Sequence, residues 1–334
     1  MRNSNRIELS GHKIFMTGGT GFVGRTLLDY FILQIEKKRQ EFEVTVLSRD
    51  PIKFLERYPK YSHKKWLRFA EGSLRCLPEP SPHTDIIHAA ADTHLQGQGE
   101  KWIDQIVNGT AAVLDFAVRA GATRFLNVSS GAVYAAQSTP FTEITEEYRG
   151  APETTRITST YGQAKRVAEQ LCTIYYHEHA LQTVNARCFA FCSEHIPLDG
   201  PYAIGNFIRD ALFSDSIRVS GDGSAVRSYL DGEDFARWMI GLLQIGRPGE
   251  AYNVGSDMAI TTYELAQRVA LLLAPNKSVV VENNQVSSSQ KSHYVPSIRK
   301  MRNLGYGIQI SLNDSISTTA TGVKNIRTYE VRPE

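Results

Sequence analysis

The sequence is poor in everything that would mark a special environment. It has four cysteines (Cys76, Cys172, Cys188, Cys192) in 334 residues, too few for a disulfide framework in a chain of this length. No Cys or His set at zinc spacing stands beside Cys188 and Cys192. All four read as structural thiols, and no metal site is expected. Charge of one sign is lacking too. The 37 basic and 35 acidic residues leave a net +2, which excludes the electrostatic footprint of a nucleic-acid binder. No stretch approaches the roughly 20 apolar residues of a membrane-crossing helix. Residues 1–11 are polar and lack the apolar run of a secretory signal, so the expected compartment is the cytosol. There is no internal repeat and no low-complexity tract.

What is present is ordinary in amount and ordered in pattern. Hydrophobic residues make up 42% and charged residues 22%, as in a typical globular protein. A chain this long buries roughly 75% of its unfolded surface and needs no staple. Short apolar runs at 12–17, 42–47, 66–70, 85–89, 124–128 and 183–188 read as strands. Between them, 22–37, 102–120 and 160–179 carry apolar residues at helical spacing. This alternation predicts an α/β fold with a parallel sheet covered on both faces. After Phe189 the elements shorten. Helices are expected at 204–213, 231–245 and 261–273, a strand at 278–281, a loop at 283–292 and a fraying tail beyond 325. The expected division is a dinucleotide-binding domain over 11–190, with returns from about 228–256, and a smaller, mainly substrate-binding lobe over 191–325.

Thr17-Gly18-Gly19-Thr20-Gly21-Phe22-Val23-Gly24 joins the first strand to the first helix. Gly18 permits a tight turn, Gly21 lets a pyrophosphate approach the backbone, and Gly24 lets helix pack on strand. The helix N-terminus offers free N–H groups to the phosphates. At the end of the second strand, Ser48 stands where an acidic residue usually holds the adenosine ribose. Arg49 follows, and a guanidinium suits a 2′-phosphate. The pattern favours NADP. NAD is the alternative, because a one-residue shift would bring Asp50 to that place.

Tyr161 and Lys165 are four apart and share one helical face. A tyrosine hydroxyl has a pKa near ~10, and a nearby ammonium lowers it. Such a tyrosine can exchange a proton with a sugar hydroxyl near neutral pH. Ser130 ends the fifth strand, where a hydroxyl points into the ligand crevice. Asn108 lies inside the long preceding helix, where a buried Asn would join a proton path. His88, inside an apolar strand, reads as a packed core histidine.

Together these residues resemble the extended short-chain dehydrogenase/reductase family, in its nucleotide-sugar epimerase/dehydratase branch. The resemblance runs from about residue 12 to 273. It rests on Thr17 to Gly24, the Asp85-Ile86-Ile87-His88-Ala89-Ala90-Ala91 run, Asn108-Gly109-Thr110, Ser129 to Tyr134 and Tyr161 to Lys165. Gly221-Asp222-Gly223, Arg227-Ser228-Tyr229-Leu230 and Tyr252-Asn253-Val254-Gly255 extend it. It implies a Rossmann-type doubly wound sheet with Tyr161 as acid/base. Lys165 would bind the nicotinamide ribose and lower the Tyr161 pKa, and Ser130 would hydrogen-bond the reacting oxygen. Gly18, Gly21, Phe22, Val23, Gly24, Ala89, Ala90, Ala91 and Asn108 would line the cofactor, with Ser73 and Leu74 near the adenine. Thr93, His94, Asn206 and Arg227 would contact substrate, Arg227 at the nucleotide diphosphate. The two long helices would form a homodimer surface.

Three departures narrow the chemistry. The Asp-Glu pair that follows the catalytic hydroxyl in dehydratases is replaced by Gly131-Ala132, which argues against 4,6-dehydration. The family's Asn-x-Tyr-Gly-Pro is replaced by residues 187–194, so the sugar cannot be copied from a relative. Ser73 stands where an adenine-contacting Asp is expected. The reading is therefore an NADP-dependent ketoreductase acting on a nucleotide-linked 4-keto-6-deoxyhexose, in deoxysugar biosynthesis. The alternatives are an NAD-dependent nucleotide-hexose 4-epimerase and a non-catalytic dinucleotide-sensing protein.

Overall fold

The computed structural model describes residues 7–91, 99–135, 143–282 and 292–330, with side chains to 325. Thr93 and His94 lie outside the described residues.

The strands of the first half are β1 (Lys13–Thr17), β2 (Glu43–Ser48), β3 (Leu67–Glu71), β4 (Asp85–His88), β5 (Arg124–Ser130) and β6 (Gln182–Cys188). Most of them bury their central side chains, while the edge strand β3 buries only Leu67. Residues 14–17 of β1 and all of β4 are buried, as expected of strands covered on both faces. The strand order is β3-β2-β1-β4-β5-β6, continued by β11 (Ala251–Val254) from late in the chain. Every pairing is parallel, with Met16 opposite Ile87 and Val128 opposite Ala186. The order reverses between β1 and β4, so a crevice opens beyond their carboxyl ends.

Helix α1 (Phe22–Lys38) buries Leu27, Leu28 and Phe31 against this sheet. It ends at Arg39, which takes a left-handed conformation (φ 53) and donates its N–H to Ile35 at 3.1 Å. Lys37 and Lys38 in the last turn suit the negative end of the helix dipole. Helix α2 (Pro51–Arg57) follows β2. The expected helix over 102–120 is interrupted. It runs as α3 (Gly99–Ile103), a π-turn at Asp104–Asn108 and α4 (Gly109–Arg119). The apolar pattern alone carries no sign of a one-residue insertion in the helical ladder. Helix α5 (Thr160–His179) packs beside α4.

Beyond β6 the chain makes short ribbons around a second core. β7 (Phe191–Cys192) pairs with β10 (Leu230–Asp231), and β8 (Ile217–Val219) with β13 (Val279–Val281). β9 (Val226–Arg227) is flanked by β12 (Ile260–Thr261) and β14 (His293–Tyr294). Helices α6 (Ala203–Phe213) and α8 (Thr262–Leu273) bury Ile204, Phe207, Leu265 and Val269 together. Thr261 and Glu264 start α8 with a reciprocal capping box. Helix α7 (Gly232–Ile245) returns to the large sheet and buries Phe235, Trp238 and Met239 there.

Helices α9 (Arg299–Asn303) and α10 (Leu312–Glu330) carry no clear sequence signal. α10 is rich in Ser and Thr, yet it buries Ile316, Thr319, Ala320 and Val323. The tail expected to fray beyond 325 is helical to Glu330. Of the expected 283–292 loop, only Ser292 is described. No described helix is long and apolar enough to cross a membrane.

Candidate active site

Two cavities open beyond the carboxyl ends of the strands. The first, of about 880 Å³, follows β1 to β4 and is lined by Gly18, Gly21, Ser48, Arg49, Ser73, Leu74, Ala89, Ala90, Ala91 and Asn108. All ten are sequence-expected cofactor residues. Gly18 holds φ +70, and a Cβ there would lie 2.5 Å from the Ala89 carbonyl carbon. Only glycine leaves the turn and the strand end this close. Gly24 faces inward, and a Cβ there would stand 2.3 Å from the Gly18 oxygen. Gly21 meets nothing nearer than 3.4 Å, so its open face borders the cavity. A cradle of this shape, at the start of α1, fits the pyrophosphate of a dinucleotide.

Details at the adenosine end bear on cofactor choice. Asp50 is turned away, its carboxylate accepting the Lys53 N–H at 2.9 Å as the N-cap of α2. Arg49 is exposed and borders the cavity, as do Arg75 and Lys101, which sequence reasoning did not single out. Arg75 is also paired with Asp104. Asn108, expected to be buried, is exposed, and it donates to Asp104 at 3.0 Å. The π-turn places it at the cavity rim instead of inside the fold. His88 is fully enclosed, with Nδ1 2.8 Å from the Thr17 hydroxyl and Nε2 3.1 Å from that of Thr110. Burial lowers its pKa to about 3, so it is a neutral packing residue.

The second cavity, of about 610 Å³, adjoins the first at Ala89 and Ala91. Phe22, Val23, Ser130, Tyr161, Lys165 and Arg227 line it. β5 delivers Ser130, the first two turns of α5 deliver Tyr161 and Lys165, and β9 delivers Arg227. The Ser130 hydroxyl accepts the Ala132 N–H at 3.1 Å and lines the cavity together with Tyr161. Lys165 is buried, and its ammonium donates to the Val128 carbonyl at 2.7 Å, 5.9 Å from the centre of the Tyr161 ring. Arg227 reaches the Ser292 carbonyl at 2.9 Å and the Ser292 hydroxyl at 3.1 Å. Asn206 lines neither cavity. Its amide donates to the Gly200 carbonyl at 3.1 Å, which fixes the loop before α6.

The electrostatics correct one expectation. Burial pushes the Tyr161 hydroxyl up to about 12, against a smaller downward pull from the nearby Ser130 hydroxyl. Lys165 is not among the groups that pull it down, and burial brings Lys165 itself down to about 8. In a low-dielectric pocket, desolvation outweighs the attraction between the two groups. Cys188 also lines this cavity, and burial raises its thiol to about 12. It is inert as a nucleophile.

Behind Ser130 lies a buried polar network that sequence reasoning missed. Ser129 donates to Glu169 at 2.6 Å. Arg187 grips the same carboxylate through Nε at 3.0 Å and Nη2 at 2.7 Å, and donates to the Tyr134 hydroxyl at 2.8 Å. Tyr134 in turn donates to Asn253 on β11 at 2.8 Å. The network ties β5, β6, α5 and β11 together and holds the Ser130 end of β5 in place. Tyr202, Tyr229 and Tyr294 on the cavity wall were also missed.

A glycine cradle at the switch point, with Tyr, Lys and Ser converging beside it, defines a nicotinamide-dinucleotide enzyme of the short-chain dehydrogenase/reductase type. The chain belongs to the NAD dependent epimerase/dehydratase family, whose model matches residues 14–255. It is 28% identical over 325 residues to UDP-glucuronic acid decarboxylase 6 of Arabidopsis thaliana, covering 95% of this chain and 90% of the relative. Its fold is similar to that of a dTDP-glucose 4,6-dehydratase of Streptomyces venezuelae solved with NAD and TYD. There the TM-score is 0.80 at 23% identity, over 95% of this chain and 98% of the other. It is likewise similar to a UDP-glucose 4-epimerase of Thermotoga maritima solved with UDP-glucose, at TM-score 0.77 and 19% identity, over 94% and 99% of the two chains.

Proposed function

We propose that this protein is a nucleotide-sugar 4-ketoreductase that uses NADPH and acts on a nucleotide-linked 4-keto-6-deoxyhexose. One observation carries the reading. Among the described residues, the second cavity is lined by hydroxyls, aromatics, Lys165 and Arg227, with no carboxylate. Such a site can move a hydride and a proton at one carbon, but it has no acid to expel a hydroxyl from the sugar. Relatives that include a dehydratase, a decarboxylase and an epimerase support the nucleotide-sugar class of substrate.

Bound in the first cavity, the dinucleotide would supply the hydride. Tyr161 donates its proton to the alkoxide oxygen that forms at C4. Ser130, lining the same cavity, orients that oxygen. Lys165 is placed to hold the nicotinamide ribose. Arg227 offers two parallel N–H groups to the diphosphate. Arg49, with Arg75 and Lys101 nearby, favours a 2′-phosphate and hence NADPH over NADH. A 4-epimerase that keeps NAD is the second reading. The small residues Gly131 and Ala132 are compatible with it, as they are with the reductase. The exposed apolar side chains Ile103, Val118, Val167 and Ile174 on α3, α4 and α5 support a homodimer, and a monomer by light scattering at micromolar concentration would remove it.

The test is a cofactor-oxidation assay with NADPH or NADH and a panel of nucleotide-linked 4-keto-6-deoxyhexoses. Net oxidation, faster with NADPH, is expected. No net oxidation, with NAD released on denaturation, would replace the reductase by the epimerase.

A further inference from the structure

Tyr161 stands at the start of its helix, where a long side chain has little of its own helix to lean on. It is the second residue of α5, and a helical side chain points back over the turn before its own Cα. Only one 3₁₀ turn, Ile157–Ser159, precedes the helix. Support for the ring comes from Trp102 of α3, whose indole lies 5.5 Å from it between centroids, at 56°. Trp102 lines the second cavity with Tyr161, and both rings pack on Ile106, Ala164 and Ala168. The two helices approach closely, since a Cβ at Gly99 would lie 3.3 Å from Ile157 and 3.4 Å from Thr160. The residue after Tyr161 is pinned as well, because a Cβ at Gly162 would stand 2.3 Å from the Ala132 oxygen.

We propose that Trp102 is a positioning residue whose indole braces the Tyr161 ring, so that the tyrosine hydroxyl keeps one direction in the second cavity. A tyrosine offers its proton from the far end of a long side chain, and a small tilt of the ring carries the donor out of reach of the reacting oxygen. A tilted ring pair at a centroid distance of about 4.5–7 Å is attractive beyond the area it buries. Tryptophan has only two side-chain torsions, so such a brace is stiff. Lys165 also reaches this ring, its ammonium 5.9 Å from the centre, but that ammonium is held by the Val128 carbonyl. The π-turn at Asp104–Asn108 is what aims the indole. Its ladder is one residue longer than the α-helical one, and one extra residue turns the preceding segment by about 100° relative to α4. Trp102 faces the second cavity, while Lys101, Asp104, Gln105 and Asn108 border the first. One irregular turn thus serves both cavities.

This inference rests on the proposed role of Tyr161 as proton donor, so its test has one arm that turnover does not enter. Trp102 is half-buried, and Trp102→Leu keeps an apolar side chain on Ile106 while removing the ring. The full chain, without cofactor, is treated with tetranitromethane, and nitration at each tyrosine is followed by peptide mass spectrometry. Nitration of Tyr161 should be several-fold faster in Trp102→Leu and close to wild type in Trp102→Phe, with the buried Tyr30 and Tyr134 unchanged as controls. An unchanged rate at Tyr161, or an equal rise at all three tyrosines, would overturn the brace. The second arm follows turnover. Trp102→Leu should lower kcat by about tenfold with KM changed by less than about twofold, the mark of a misplaced donor. Trp102→Phe should restore most of the loss. In the Tyr161→Phe background, Trp102→Leu should cost nothing further. A rise in KM at unchanged kcat, or an equal loss in that background, would overturn the proposal. A wild type inert toward every nucleotide sugar would overturn the functional reading instead, while nitration would still decide the brace.

Discussion

The two cavities differ in where their walls come from. The first is built between Gly18 and Ala112, on consecutive strand–helix turns of a regular sheet. The second draws on β5 and α5 but is closed by Phe189, Tyr202, Arg227, Tyr229 and Tyr294 from the later part of the chain. Backbone shape dominates the first, where glycines let turn, helix and strand approach closely. Side-chain chemistry dominates the second, where hydroxyls and one buried ammonium share a low-dielectric space. A cofactor common to many reactions needs mainly the first kind of site. Choice of substrate and reaction belongs to the second.

If chemistry sits in the second cavity alone, Tyr161→Phe should cost about 10³-fold in turnover while dinucleotide affinity stays within a fewfold. Near-normal turnover, measured by cofactor oxidation, would break the division. Gly24→Ala is the converse experiment. With backbone 2.3 Å from the added Cβ, it should destabilise the protein by about 3 kcal/mol and abolish dinucleotide binding in a titration, leaving Tyr161 and its neighbours chemically intact.

Lys165→Met sharpens the electrostatic side. A folded-state lysine pKa of about 8, below an unfolded value of ~10.4, means that the folded protein binds this proton less tightly. The native lysine therefore penalises stability at pH 7. The penalty fades as pH rises through 8 and is gone by about pH 10.4. The variant should be more stable than wild type at pH 7 by on the order of 2 kcal/mol in the cofactor-free protein, with the gap closing at higher pH. A pH-independent difference would contradict the burial argument. The smallest effect is expected for Arg49→Ala, with NADPH affinity falling about tenfold and NADH affinity unchanged. Equal losses for both would remove Arg49 as the discriminator.

This contrast also sets what the sequence could reveal. Gly18, Gly21 and Gly24 lie within seven residues, and Tyr161 and Lys165 within one helical turn, so their spacing carries the geometry. The strands and the helices that cover them show the same local pattern. Tyr294 stands 164 positions from Ser130 in the numbering, and no spacing rule joins them. Arg187 and Glu169 looked like a strand residue and a helix residue until folding paired them. α10 was hidden because Ser and Thr occupy its buried face with Ile316 and Val323. Asn108 was misplaced because a π-turn shifts the face of a helix without changing its composition.

The seventh strand carries a consequence for how the chain comes to be folded. β11 lies against β6, although the two are separated by more than sixty residues of ribbon and helix. During synthesis, the outer edge of β6 therefore stays open until Ala251–Val254 has emerged. A fragment ending soon after Cys188 would present a bare sheet edge of unpaired backbone groups, an invitation to pair with other chains. The early elements can gather around the glycine turn while the chain is still growing, but the edge is sealed late. Truncations before residue 251 should aggregate, and the later segments that close the second cavity cannot be exchanged as a separate cassette.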